Sequence, residues 1–427
     1  MSSTNGHTDG RAGQRASGPG PAAERAGGPA GGDGALAGVR VVEMGQLLAG
    51  PFCGQLLGDF GAEVIKVEPP EGGDPMRQWG REKPHGKSLW WPVLARNKKS
   101  VTVNLRVPEG QQVVRELAGR CDILVENFRP GRLEQWGLGY DVLSELNPRL
   151  IMIRVTGFGQ TGPYAQRAGF GSIGEAMGGL RYVVGQPDGF PSRVGISIGD
   201  AMAGTMGALG GLVALHARHR TGRGQVVDSA IYEAVLAYME SLIPEYAIGG
   251  YIRERTGSVL PNVAPSNVYP TADGQMVLIA ANQDTVFRRL AAAMEQPELA
   301  ADQRFATHSR RGRHSEELDR LISQWSATLP ADRVLALMDE HGVPAGRMYR
   351  APEMLADPHF RARESIVRVK HPDLGELPMQ NVAPRLSATP GEVRWAGPEL
   401  GAHNDEILKG LLGLSEEQIA LAQAGGR

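Results

Sequence analysis

The segment that decides the fold reads VRVVEM at residues 39–44, GQLLAGPFCGQLLGDF at 45–60 and GAEVIKVE at 61–68. The first and last pieces are short and rich in β-branched residues, which is typical of buried strands. The middle piece has the length of a loop followed by a helix. Together they predict a strand, a crossover helix and a second, parallel strand.

The same alternation continues along the chain. Further strands are predicted at 100–105, 122–126, 150–155 and 276–280, and helices at 109–118, 201–216, 229–248, 285–294, 315–328, 330–340, 405–412 and 415–423. Strands that alternate with helices indicate a parallel sheet covered on both faces. The sequence therefore predicts an α/β fold with a Rossmann-like sheet, and the region beyond Pro261 is separable enough to form a smaller lobe.

Composition limits the kinds of function. The 427 residues carry a formal net charge of -2 with acidic and basic residues interspersed, which gives no basic field for nucleic acid or membrane lipid. Cys53 and Cys121 lie far apart, so neither a disulfide framework nor a zinc site is expected. Residues 1–34 lack leucine, isoleucine, valine and aromatic residues, which predicts a disordered tail. We expect a cytoplasmic protein that acts on small molecules.

Loops at the predicted strand ends are candidate ligand sites. The turn MGQLLAGP at 44–51 lacks the GxGxxG spacing that a dinucleotide site needs, so no NAD or FAD is expected. The sequence ENFRPG at 126–131 follows a strand and suits either a phosphorylated ligand or a solvated basic turn. His216 and His219 stand one helical turn apart without a third ligand, so no metal site is predicted.

Asp200 is the acidic residue with the most suggestive position. The sequence GISIGD at 195–200 places it between an extended segment and a predicted helix. Aspartate is a preferred helix N-cap, so a purely structural role is one reading. A helix N-terminus also keeps a carboxylate ionised and offers amides to a developing oxyanion, which suits a nucleophile. The residues alone leave both readings open.

Several segments together resemble a known family. They are LAGP at 48–51, GAEVIKVE at 61–68, NKKS at 97–100, VENFRPG at 125–131, GFG at 157–159, GPY at 162–164, IGD at 198–200 and TGRGQ at 221–225. In this order and at these intervals, the chain resembles the family III (CaiB/BaiF-type) CoA-transferases, which include formyl-CoA transferase and carnitine CoA-transferase. The resemblance runs from Leu36 to the C-terminal helices.

The resemblance implies an architecture. It implies a large domain built from both chain ends, residues 35–250 and 375–427, a small domain over 262–355, and two chains interlocked as a homodimer. It also implies that coenzyme A or acyl-CoA is a substrate and that no prosthetic group is present.

The resemblance also implies site residues. Asp200 matches the family's catalytic aspartate. The positions expected against CoA are Leu47, Leu48, Val103, Arg106, Asn127 and Phe128. Pro69 and Gln135 stand where formyl-CoA transferase uses arginines, so we expect Arg129 or Arg132 to substitute for them.

Substrate class separates members of this family. The related α-methylacyl-CoA racemases carry a His-Asp pair where this chain has Phe170 and Gly171, so one of the two bases needed for racemisation is missing. Formyl-CoA transferase has a glutamate at the position of Gly171, which argues against formate or oxalate. We expect CoA transfer between short dicarboxylates, such as succinate with malate, citramalate or itaconate, through an anhydride on Asp200. The alternatives are an acyl-CoA racemase or isomerase and a non-catalytic CoA-binding homologue.

Overall fold

A computed structural model describes residues 34–425. The predicted disordered tail, residues 1–34, lies outside the described residues except for Gly34. The first described segment leads into the sheet, and the amide of Leu36 donates a hydrogen bond to the carbonyl of Phe60 at 2.9 Å.

Six parallel strands form the central sheet in the order β3-β2-β1-β4-β5-β6. They are β1 (Arg40–Glu43), β2 (Glu63–Glu68), β3 (Lys98–Thr102), β4 (Ile123–Glu126), β5 (Ile151–Thr156) and β6 (Val226–Ala230). This is the strand order of a doubly wound dinucleotide-binding fold. The predicted α/β class and the first strand-helix-strand unit are confirmed.

Within residues 34–250, ten α-helices and two short 3₁₀ helices, Pro75–Gln78 and Pro84–Gly86, accompany this sheet. The α-helices are α1 (Ala49–Asp59), α2 (Trp90–Leu94), α3 (Pro108–Ala118), α4 (Arg132–Gln135), α5 (Tyr140–Leu146), α6 (Gly171–Met177), α7 (Leu180–Val183), α8 (Ile198–Thr221), α9 (Ile231–Leu236) and α10 (Leu242–Gly249). The smaller lobe follows. It contains β7 (Ser266–Pro270), β8 (Met276–Ala280), α11 (Asp284–Ala293), α12 (His308–Arg313), α13 (Ser315–Ser326), α14 (Ala331–Glu340) and β9 (Ala345–Arg347).

The last part of the chain returns to the sheet. It comprises α15 (Ala351–Ala356), α16 (Pro358–Ala362), the hairpin β10 (Ile366–His371) and β11 (Gly375–Gln380), a π-helical segment (Asp405–Leu411) and α17 (Glu416–Gln423). Ile407 and Ile419 from this part pack in the same buried cluster as Val42 and Leu124 of the sheet. Both chain ends therefore build one large domain, as the family resemblance implied.

The two faces of the sheet bury different sets of residues because successive side chains of a strand point to opposite sides. Val42 packs with α3 and the C-terminal helices. Val41 packs with α1 and α8 on the other face. Helix α8 is long and apolar enough to cross a membrane by length and composition alone. Its glycines instead pack against the interior of the fold: a Cβ on Gly211 would lie 2.7 Å from the side chain of Ile153.

Two sequence predictions were wrong in detail. The strand predicted at 100–105 runs from Lys98 to Thr102, directly after Asn97, whose φ is 61°. The single helix predicted at 229–248 is instead the end of β6 followed by α9 and α10. The valines of β6 pair with β5, so sheet pairing takes precedence over helix formation there, and Glu240, with φ at 50°, lies in the break between the two helices.

Candidate active site

The carboxyl ends of β1 and β4 mark the point where the strand order reverses, which is the usual ligand site of such a sheet. The loops after these strands are joined by Asn127. Its Oδ1 accepts from the amide of Gln46 at 2.8 Å, and its Nδ2 donates to the carbonyl of Gln46 at 2.8 Å. Asn127, one of the residues expected against CoA, therefore fixes the shape of the β1 loop.

A network of buried charged side chains stabilises the same loop. Leu47 has φ at 63°, and its amide donates to Oδ1 of Asp74 at 3.0 Å. The other oxygen of Asp74 accepts from Lys66 at 2.7 Å, and Lys66 also donates to Glu43 at 2.8 Å. Burial alone would raise the pKa of Asp74, but the Lys66 ammonium brings it below its ordinary value. The network holds Leu47 in a conformation that leucine rarely adopts.

A cavity of about 670 Å³ opens beside these loops. Of the six residues expected against CoA, Val103, Arg106 and Phe128 line it. Other lining residues are Met44, Gln46, Val67, Glu68, Pro69, Pro70, Glu71, Asn104, Leu105, Arg132, Trp136, Gln423 and Gly425. The wall therefore combines apolar side chains with seven polar or charged ones, among them the acidic Glu68 and Glu71.

Among the described residues, the cations that line this cavity are Arg106 and Arg132. Pro69 lines the wall without charge, and Gln135 accepts a hydrogen bond from Nη1 of Arg132 at 3.2 Å. Arg129 is exposed and is not part of the lining. Of the two arginines considered as substitutes for the family's phosphate ligands, the geometry favours Arg132.

Leu47 and Leu48 follow Gln46 in the chain but do not line this cavity; they pack on a small cluster that contains Met76 and Trp91. They lead directly into α1, which packs against α8. A Cβ on Gly204 of α8 would lie 2.6 Å from the carbonyl oxygen of Ala49. Asp200 precedes Gly204 by about one helical turn, or roughly 6 Å along the axis. The α1–α8 contact thus places Asp200 near the end of the β1 loop that leads into α1.

Asp200 is not the N-cap of α8. Ser197 occupies that position, and Asp200 lies in the first turn. No donor among residues 34–425 forms a hydrogen bond with its carboxylate, so its presence is not explained by capping. The N-cap interpretation of Asp200 is therefore wrong.

The carboxylate lies directly over Gly171, the first residue of α6. A Cβ on Gly171 would be 2.2 Å from Oδ2 of Asp200, so any larger residue there would displace the carboxylate. Glu175, one turn further along α6, is buried; it accepts from the amide of Gly199 at 3.3 Å and from Arg181 at 2.8 Å. The α6–α8 contact therefore holds two carboxylates close together.

This environment changes the acidity of Asp200. Burial, and then the nearby charge of Glu175, raise its pKa to about 6, and Arg193 opposes that rise. A half-buried carboxylate without hydrogen-bond donors is a stronger base and nucleophile than one in water, and it is still mostly ionised at pH 7. Titratable groups with strongly shifted pKa values cluster at functional sites.

The amides expected to stabilise an oxyanion are already used. The amide of Gly199 donates to Glu175, that of Gly159 to Oγ1 of Thr156 at 3.0 Å, and that of Gln160 to Asp228 at 2.8 Å. These three amides therefore already have acceptors and are not available to a developing oxyanion.

Some site residues were not found from the sequence. Trp136 and Gln423 line the cavity. Gln423 comes from the far end of the chain, and its Nε2 donates a hydrogen bond to Oγ1 of Thr102 at 2.9 Å. Only the tertiary fold brings these two residues together. No sequence motif pointed to Glu175, which is notable in the sequence only because it lies four residues after Gly171. No group of three or more His, Cys, Asp and Glu suited to a metal ion occurs within residues 34–425.

The family model for CoA-transferase family III matches residues 36–404, which include the β1 loop, Gly171 and Asp200. The chain belongs to CoA-transferase family III. It is therefore an enzyme of the CoA-transferase type, as the sequence motifs had indicated.

Similar proteins agree with this assignment. The chain is 66% identical over 386 residues to a succinyl-CoA–D-citramalate CoA-transferase of Chloroflexus aurantiacus, covering 90% of this chain and 96% of that protein. It is 33% identical to the human succinyl-CoA:glutarate CoA-transferase, covering 92% of this chain and 89% of that one. A CaiB/BaiF family crystal structure from Brucella suis superimposes with a TM-score of 0.79 at 35% identity, covering 88% and 99% of the two chains.

The raised pKa of Asp200 predicts that the pH–rate profile has an acidic limb. Because only the carboxylate attacks, kcat/KM should rise about tenfold per pH unit below a pH of about 6 and level off above it. Glu175→Gln removes the neighbouring negative charge while keeping the shape, so the limb should move to lower pH. Steady-state rates between pH 5 and 8 measure this shift.

The matched control is Glu233→Gln, an exposed carboxylate on α9 that does not contribute to the acidity of Asp200. This variant should leave the acidic limb of the pH–rate profile at the same pH as in the wild type. The substrate's own carboxyl group titrates identically in assays of the wild type and both variants. Differences between their pH–rate profiles therefore reflect groups of the enzyme. A limb that is the same in Glu175→Gln and the wild type would contradict this electrostatic account.

Proposed function

We propose that the protein transfers coenzyme A between short dicarboxylic acids, with succinyl-CoA as donor and a C4 or C5 diacid such as citramalate, malate or itaconate as acceptor. The observation that carries this is the half-buried carboxylate of Asp200, which lies against Gly171 and accepts no hydrogen bond from any donor among residues 34–425. The substrate class is supported by the names of its relatives, which include succinyl-CoA–D-citramalate and succinyl-CoA–L-malate CoA-transferases.

The cavity suits the nucleotide end of the substrate. Arg106 and Arg132 offer positive charge to phosphates, and the edge-to-face pair of Phe128 and Trp136, with ring centroids 5.3 Å apart, offers an apolar wall to a base. The pantetheine arm would then run past Leu47 and Leu48 towards Asp200. Coenzyme A acts as substrate in this scheme, and no prosthetic group takes part.

The chemistry follows from the nucleophile. An oxygen of Asp200 attacks the thioester carbon, the C–S bond breaks, and CoA leaves as its thiolate with a mixed anhydride remaining on Asp200. The carboxylate of the acceptor attacks the aspartyl carbonyl and displaces the donor acid. The CoA thiolate then attacks the acceptor's acyl carbon, which forms the new thioester and restores the Asp200 carboxylate. No proton needs to move and no outside reagent is consumed.

The first test is a panel of acyl-CoA donors and acids read by mass spectrometry. We expect exchange between succinyl-CoA and the C4 and C5 diacids, without deuterium entering the α-carbon of a 2-methylacyl-CoA in heavy water. Asp200→Asn should bind CoA normally and lose transfer by several orders of magnitude. Deuterium incorporation at turnover rates would instead show a racemase, and CoA binding without turnover on any acid would show a non-catalytic homologue.

We further propose that the chain works as an interlocked homodimer in the cytosol. Helix α8 exposes Thr205, Leu209, Leu212, Val213 and His216, which lie on one face at helical spacing, while its glycines face the core. A mainly apolar stripe of this kind typically marks an interface. Both cysteines are buried and unpaired, which suits a reducing compartment.

Sedimentation tests this assembly. Leu209→Glu combined with Val213→Glu places two charges on the stripe and should yield monomers with little activity. Leu146→Glu, an equally exposed leucine on α5, should leave assembly and activity unchanged. Deleting residues 1–33 should also leave them unchanged. A fully active wild-type monomer would contradict the proposal.

A further inference from the structure

Arg193 lies immediately before the nucleophile's helix. Its Nη2 donates to Oγ of Ser197 at 3.1 Å, and its Nε donates to the carbonyl of Ile196 at 3.4 Å. Ser197 is the N-cap of α8, and Asp200 follows three residues later. Residues three apart at a helix start lie on the same side, so these two bonds hold the guanidinium on the side of the helix that carries Asp200.

Arg193 is also free of acidic partners. Among the described residues no carboxylate lies within 4 Å of its guanidinium, although its charge is felt by Asp200. The other arginine of this region, Arg181, is bound to the buried Glu175 at 2.8 Å and is therefore neutralised. A positive group without a negative partner among the described residues thus remains close enough for its charge to act on the Asp200 carboxylate.

The surroundings of Arg193 are apolar. Val194 and Ile196, its neighbours on the same loop, expose their side chains, and so does Phe170 beside Gly171. Apolar groups near a charge lower the local dielectric once a substrate or a partner covers them, which strengthens any ion pair formed there. The loop therefore has the composition of a small site with one positive charge in an apolar rim.

We propose that Arg193 binds the distal carboxylate of the diacid and so selects dicarboxylic over monocarboxylic acyl groups. The inference rests on the proposed function, because the free carboxylate of a diacyl substrate must approach the ionised Asp200 and its acidic neighbour Glu175 before the thioester is attacked. Without a cation that placement is unfavourable. A guanidinium can hold a carboxylate with two parallel hydrogen bonds, which also fixes the orientation of the acyl group for attack.

The test compares two donors that differ only in this group, succinyl-CoA and butyryl-CoA, with the wild type and Arg193→Gln. Assays at pH 8 keep Asp200 ionised in both enzymes. Arg193→Gln should lower kcat/KM for succinyl-CoA by roughly 30-fold or more, as expected for the loss of one partner of a close charge pair. With butyryl-CoA kcat/KM should change by less than about threefold, because that substrate makes no such pair.

Two further variants sharpen the comparison. Arg193→Lys keeps the charge but not the paired geometry and should fall between the wild type and Arg193→Gln with succinyl-CoA. Arg167→Gln removes an exposed cation that stacks on Tyr164, with 3.8 Å from guanidinium carbon to ring centroid, and should keep the preference for succinyl-CoA.

An equal loss with both donors in Arg193→Gln, or an unchanged preference, would overturn the inference while leaving the proposed function intact. Absence of turnover with any diacid in the wild type would overturn the proposed function and this inference with it.

Discussion

The contact between helices α1 and α8 determines where both halves of the active site lie. Gly204 brings the backbone of α8 against that of α1 at Ala49, a separation that leaves no room for a Cβ. In α1, the residues just before this contact are those of the β1 loop. In α8, Asp200 lies one helical turn before Gly204. A larger residue at position 204 would move the nucleophile relative to the β1 loop even if the protein folded, since misplacement by about 1 Å can cost ~10²-fold in rate.

The same packing explains why Asp200 is reactive. A carboxylate in contact with Gly171, close to Glu175 and without hydrogen-bond donors among the described residues is held in an unfavourable environment. Folding must supply the free energy for that arrangement, and burial of the sheet between two apolar layers is its source. The strained Leu47 is held in a similar way by Asp74 and Lys66. Strain of this kind is common at functional sites.

Much of the fold could be predicted from local pattern, because strands such as 63–68 combine β-branched residues with clear turns on each side. The start of the helix predicted at 229–248 was wrong because Ser229 and Ala230 pair with β5, a long-range effect that periodicity cannot show. Asp200 could be identified from its motif, but its contact with Gly171 and its neighbour Glu175 depend on the packing of α6 on α8. Gln423 reaches the cavity from the opposite end of the chain, so no local pattern could reveal it.

The most direct measurement is the capture of the covalent intermediate. Hydroxylamine added during turnover with succinyl-CoA attacks an activated aspartyl carbonyl and leaves a hydroxamate, which peptide mass spectrometry can locate. The account predicts that Asp200 carries this modification, that no other carboxylate does, and that labelling requires the acyl-CoA. An unmodified Asp200, together with near-normal turnover in Asp200→Asn, would contradict the central claim that this residue carries the acyl group.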